Sequence, residues 1–153
     1  MSKLELKVPP VIAWIAVALV MWLGARLVPI FRIAWPQRQG VAMGLVAVGT
    51  VVAVLGVIAF RRAKTTVNPL HPENMSALVM GGIYRATRNP MYLGMLLTLA
   101  GWAVWLGAIT PWLLLPGFIA YMNRFQIGPE ERMLASMFGA DFDMYRSRVR
   151  RWL

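Results

Sequence analysis

The chain has 153 residues, 59% of them hydrophobic and 14% charged, with a net charge of +10 and no cysteine. A soluble domain carries roughly a quarter charged residues, so the composition excludes an ordinary soluble globule and points to a small bundle of membrane-crossing helices. The missing cysteines exclude disulfides, zinc–thiolate sites and a cysteine nucleophile.

Residues 11–31 form a first apolar span, at about 31 Å long enough to cross a hydrocarbon core. Lys3 and Lys7 precede it as in a signal sequence, but the run is too long for one and no small-residue cleavage site follows. It reads as a retained span. The second span, 41–60, carries no charge. Gly40 and Gly44 stand four apart, as do Gly49 and Ala53, a spacing that lets helices approach closely within one chain or between chains.

A polar segment follows, 61–89. Asn68-Pro69 and His71-Pro72-Glu73-Asn74 mark turns, 76–79 is a short Ser-Ala-Leu-Val piece, and Gly81-Gly82 is a break. A loop this long without regular structure tends to be functional. Residues 91–109 and 112–127 then give a third and a fourth span, a hairpin closed at Thr110-Pro111. The tail changes character, holding Glu130, Glu131, Asp141 and Asp143. Met133, Leu134, Met137 and Phe138 recur with helical spacing, and Gly139 is placed to end that helix. Phe142 and Tyr145 with Arg146, Arg148, Arg150 and Arg151 predict a basic, aromatic helix on the membrane surface.

Four spans put the N-terminus, the 61–90 segment and the tail on one side. That side holds thirteen of the sixteen Lys and Arg residues, against Arg26, Arg32 and Arg38 opposite, which predicts that both termini are cytoplasmic. The basic residues flank apolar spans and leave no soluble basic domain, so no nucleic-acid partner is expected. The expected fold is all-α: one domain over 1–153, an integral membrane bundle of about four transmembrane helices with a cytoplasmic amphipathic C-terminal helix.

The chemistry concentrates in 81–94, where Tyr84, Arg85, Arg88, Asn89 and Tyr92 stand between apolar regions. Pro90 makes a rigid corner and biases Asn89 away from helical backbone. His71 has no credible partners for a nucleophilic triad, no phosphate-binding glycine motif occurs, and Glu130 and Glu131 point about 100° apart on a helix. Arg, Asn, Tyr and Glu suit binding a zwitterionic cofactor better than proton transfer.

The run Gly-Ile-Tyr-x-x-x-Arg-Asn-Pro-Met-Tyr-x-Gly, followed by Glu-Glu-x-x-Leu-x-x-x-Phe-Gly-x-x-Phe-x-x-Tyr, resembles the superfamily of isoprenylcysteine carboxyl methyltransferases and phospholipid methyltransferases. These are small integral membrane enzymes that use S-adenosylmethionine. The resemblance covers about 65 to 153. It implies a cofactor site over 65–94 and 128–153, with Ser76, Ala77, Leu78, Val79 and Tyr84 from the loop, Asn89, Pro90, Met91 and Tyr92 at the helix start, and Glu130 from the tail. Arg88, Asn89 and Glu131 are the expected catalytic residues, Glu131 as proton acceptor if the acceptor is an amine. Arg124 and Gln126 are expected at the substrate, Gln126 standing where the isoprenylcysteine enzymes carry Arg. The implied acceptor is a membrane lipid or another amphipathic molecule, in a cytoplasmic membrane of bacterial type. A small-thiol methyltransferase and a non-catalytic membrane scaffold are the alternatives, and the oligomeric state is open.

Overall fold

A computed structural model describes residues 6–28, 31–32, 36–63 and 77–153. Ser76, His71 and the turn signals at 68–74 lie outside the described residues. The described residues form five α-helices and no strand: α1 (Pro10–Leu27), α2 (Arg38–Arg62), α3 (Pro90–Leu106), α4 (Leu114–Met122) and α5 (Gly128–Arg148). Short 3₁₀ turns cover Gly82–Arg85 and Thr110–Leu113, and a π-helical turn, Asn123–Ile127, joins α4 to α5.

Two helices, α1 and α2, are long and apolar enough to cross a membrane. Helix α3 is apolar but has 17 residues. It begins where Pro90 supplies a pre-set φ and no surplus N–H, and ends at Gly107, whose φ of 63° makes the left-handed cap that glycine favours.

The closest packing is between α2 and α3, which run antiparallel. Positions 42, 49 and 56 of α2, each seven apart, meet Gly101, Gly94 and the Pro90-Met91 start of α3. A Cβ on Gly49 would lie 2.7 Å from the Gly94 carbonyl oxygen, and one on Gly101 would lie 2.8 Å from that of Ala42. The small-residue expectation therefore holds at Gly49 and Ala53, and the contact lies within the chain. Gly40 and Gly44 have nothing within 4 Å of a built Cβ and take no part. Helix α1 is tied to α3 by indole hydrogen bonds: Trp14 Nε1 donates to Thr98 Oγ1 at 3.0 Å and Trp102 Nε1 to the Ala18 carbonyl at 3.1 Å. The buried core joins Met21, Leu99, Ala103, Phe118, Met122 and Ile127.

The stretch 112–127 is not one helix. It is a 3₁₀ turn, a nine-residue α-helix and the π turn, and it continues into the tail without a break. The reason is local. Pro129 has no N–H to give the Phe125 carbonyl, which instead accepts from Leu6 N–H at 3.1 Å. Gly128 N–H reaches back to Asn123, where a Cβ would lie 2.9 Å from the carbonyl oxygen. Gly139, with φ 48°, breaks α5 as expected, but the chain resumes a helical course to Arg148. That return buries Phe142 and Tyr145 in the protein, so the aromatic face expected at the membrane surface points inward, while Arg146, Arg148 and Arg150 stay exposed.

Gly94→Ala should lower the thermal unfolding midpoint in detergent, since overpacking costs about 1–3 kcal/mol against the helix-propensity gain of roughly 1 kcal/mol. Gly40→Ala should leave the midpoint unchanged or raise it.

Candidate functional site

Where the 81–94 stretch meets α5, a cavity of about 90 Å³ opens. Four pieces of chain wall it. Phe60 comes from the end of α2; Ala77, Leu78 and Val79 come from an irregular segment; Tyr84, Arg88, Asn89, Met91 and Tyr92 come from the approach to α3 and its first turn; and Glu130, Glu131, Met133, Leu134, Phe142 and Tyr145 come from α5. Of the residues expected at a cofactor, Pro90 is buried beside Gly56 and positions its neighbours rather than lining the cavity.

Local backbone explains the delivery. Asn89 sits at φ −131° and ψ 58°, the non-helical backbone that a following proline favours. Its carbonyl starts α3 by accepting from Leu93 N–H at 2.9 Å, and its Nδ2 donates to the Arg151 carbonyl at 2.9 Å. Tyr84 is held from two sides. Its ring meets Phe60 edge-on at 5.4 Å, and its carbonyl accepts from Tyr145 Oη at 2.7 Å.

The two adjacent glutamates have opposite surroundings. Tyr92 Oη donates to Glu130 Oε1. Burial pushes the Glu130 carboxyl up, the Tyr92 bond lowers it and the Glu131 charge raises it again, leaving it at about 7. Burial also acts to raise Glu131, but hydrogen bonds and charge from Arg151 and Arg88 outweigh it and hold that carboxyl below the usual range. Arg88 Nη2 lies 2.8 Å from Glu131 Oε1, and Arg151 Nη2 lies 2.5 Å from Oε2. The same burial pushes Tyr84 well above the ordinary phenol value and Tyr145 to about 12, so both stay protonated as donors.

This changes the reading of the expected residues. Glu131 is clamped between two guanidiniums and is poorly suited to take a proton. Glu130, in contact with the cavity, titrates near neutrality. Arg88 spends Nη1 on the carbonyls of Arg146 and Val149, at 2.9 and 2.6 Å, and Nη2 on Glu131. Only its buried Nε has no partner among the described residues. Arg124 is exposed and Gln126 is fully buried, its Nε2 donating to the Val8 carbonyl at 2.7 Å, and neither lines the cavity. Phe60, Phe142, Tyr145 and Arg151 were not singled out for the site by sequence. The first stands in an apolar run, and the others sat in a tail whose pattern fitted a surface helix.

Residues 38–141, roughly two thirds of the chain, match the phospholipid methyltransferase family. A protein of Haemophilus influenzae described as uncharacterized is 48% identical over 63 residues, covering 41% of this chain and all of its own. Two rice proteins, from the indica and japonica subspecies, carry the name probable protein-S-isoprenylcysteine O-methyltransferase; each is 32% identical over 112 residues, 71% of this chain. The chain spans 57% of the length of those rice relatives. No solved structure matches.

Glu130 makes a signed prediction for stability. Its folded carboxyl lies above the ordinary value of 4.5, at about 7, so its contribution is fully present below the ordinary value and is lost as pH rises through the folded one. Glu130→Gln should flatten the fall of the thermal midpoint over that window, measured in detergent from pH 4.5 to 8. An unchanged slope would show that Glu130 ionises as freely as an exposed carboxylate.

Proposed function

The chain belongs to the phospholipid methyltransferase family, and on that premise we propose that it is an integral membrane methyltransferase that moves a methyl group from S-adenosylmethionine to a lipid-like or amphipathic acceptor. Helices α1 and α2 would cross the bilayer, with α3 and the 110–127 stretch as a second, hairpin pair, and the cavity at a cytoplasmic face. The observation that carries the reading is the contact between Tyr92, at the start of α3, and Glu130, in the tail. It joins the two stretches of the family resemblance at one cavity.

The lining suits the methyl donor. Phe60, Tyr84 and Phe142 offer apolar and aromatic walls for a flat base, the irregular 77–79 backbone offers peptide groups, and Glu130 offers a carboxylate to a cationic end. The chemistry the cofactor supplies there is a sulfonium methyl, transferred in line with a neutral thioether as leaving group. The protein's own contribution is to hold the reactants aligned and exclude water, for which apolar walls are the requirement. Tyr92 orients the Glu130 carboxylate by donating to one of its oxygens, leaving the other for ligand.

The charge distribution favours an amine acceptor, such as a phospholipid amine, over an isoprenylcysteine-type carboxylate. Arg88 is the one cation among the described lining residues, and its terminal nitrogens are already committed to Glu131 and two carbonyls. A carboxylate acceptor would meet Glu130 with little to offset it. An amine needs no cationic partner, and with Glu130 committed to the cofactor's cationic end the amine's proton leaves to water.

Calorimetric titration of the detergent-purified protein with S-adenosylhomocysteine should show saturable binding. Glu130→Ala should abolish it, and Tyr92→Phe should weaken it by about tenfold or more, as expected for losing a hydrogen bond to a charged group worth about 1.5–3 kcal/mol. Labelled methyl donor should then mark an aminophospholipid and leave a prenylcysteine unmarked. A folded protein that binds no S-adenosylhomocysteine would sink the enzyme reading in favour of a scaffold.

A further inference from the structure

The tail beyond α5 returns to the entrance of α3. Arg88 N–H donates to the Arg150 carbonyl at 3.0 Å, while Thr87 Oγ1 and Asn89 Nδ2 both donate to the Arg151 carbonyl, at 3.3 and 2.9 Å. From the same place the Arg151 side chain turns to Glu131, Nε reaching Oε1 at 3.2 Å and Nη2 reaching Oε2 at 2.5 Å. One residue on, Trp152 Nε1 donates to Asn123 Oδ1 at 3.1 Å, on the π turn that feeds α5. The segment thus bridges the approach to α3, the π turn and the first turn of α5.

We propose that Arg151 is a positioning residue for the cavity: by gripping Glu131 with both arms of its guanidinium, it fixes the rotation of the first turn of α5 and so keeps Glu130 facing Tyr92 and the ligand. The inference rests on the methyltransferase reading for the identity of that ligand.

Glu130 and Glu131 lie about 100° apart around α5. Holding the second therefore aims the first. The need for a hold comes from the π turn, which inserts an extra residue into the helical ladder just before α5 and leaves its rotation less tightly set by the ladder alone. A planar, two-pronged guanidinium fixes a carboxylate's orientation in a way that a lysine ammonium does not. Arg88 reaches only one oxygen of Glu131, so Arg151 supplies the second, orienting contact.

Charge follows from the same contact. Glu130 is faced by Tyr92 from α3, by Tyr84 from the 3₁₀ turn and by Glu131 from its own helix, with Arg88 and Arg151 neutralising Glu131. Without Arg151, Glu131 is less compensated and Glu130 holds its proton to higher pH.

The test is titration with S-adenosylhomocysteine from pH 5.5 to 8.5 on the full chain and on Arg151→Ala, Arg151→Lys and Arg148→Ala. Arg148 is exposed and removes the same charge without touching Glu131. Arg151→Ala should weaken binding by about tenfold or more and move the pH of half-maximal affinity upward. Arg151→Lys should restore that pH without restoring full affinity, and Arg148→Ala should match the unmodified protein. If Arg151→Ala lowers only the thermal midpoint, with affinity and pH midpoint of the folded protein unchanged, the residue is structural and the proposal is overturned. Should the unmodified protein bind no S-adenosylhomocysteine, the methyltransferase reading fails separately, and hydrogen exchange decides the positioning role. Faster exchange confined to 128–134 in Arg151→Ala supports it, and unchanged exchange there overturns it.

Discussion

Arg88 is the constraint on which the site depends. Its side chain is mostly buried between the approach to α3 and the end of α5, and burying a cation costs less the more of its donors are met. Glu131 and the carbonyls of Arg146 and Val149 meet those of its two terminal nitrogens, and Arg88's own backbone N–H takes the Arg150 carbonyl. Satisfying one side chain thereby pins the tail against the α3 entrance. The cavity is the space left between these two pinned pieces. An arginine that looks in the sequence like a hand for ligand is mostly a strut.

The pinning works because α3 itself cannot move far from α2. If the pair lies in lipid, as proposed, no hydrophobic force drives the two helices together and contact depends on close van der Waals fit. The glycines and alanines repeating every seven residues provide that fit, and the small Gly56 lets the Pro90-Met91 corner sit against α2. Phe60, one turn further along α2, then reaches Tyr84 and closes the cavity wall. Helix packing and site geometry are one arrangement read at two depths.

Two neighbouring carboxyls divide the electrostatic work. Glu131 is stabilised as an anion and carries structure; Glu130, buried against a phenol and beside another negative charge, stays near its titration point, which suits the ligand role proposed for it. Divergence between adjacent titratable groups is a common feature of functional carboxyls.

The sequence by itself determined the helical class, the apolar segments, the Pro90 corner and the two polar stretches that meet. Each of these follows from local chemistry: hydropathy over a window, proline's fixed φ, and residue types clustered within a few positions. The interruption of 112–127 was also written locally, in Gly128-Pro129, but its outcome needed Leu6 to take the freed carbonyl. What only the tertiary structure decided is that Glu131 is held by two arginines while Glu130 is held by a phenol, and that Phe142 and Tyr145 turn inward. A charge's role depends on its burial and its partners, and those partners here lie 20 to 61 residues away in sequence, as with Glu131 and Arg151 or Arg88 and Val149. Helical periodicity gives a residue's face but not what that face will meet.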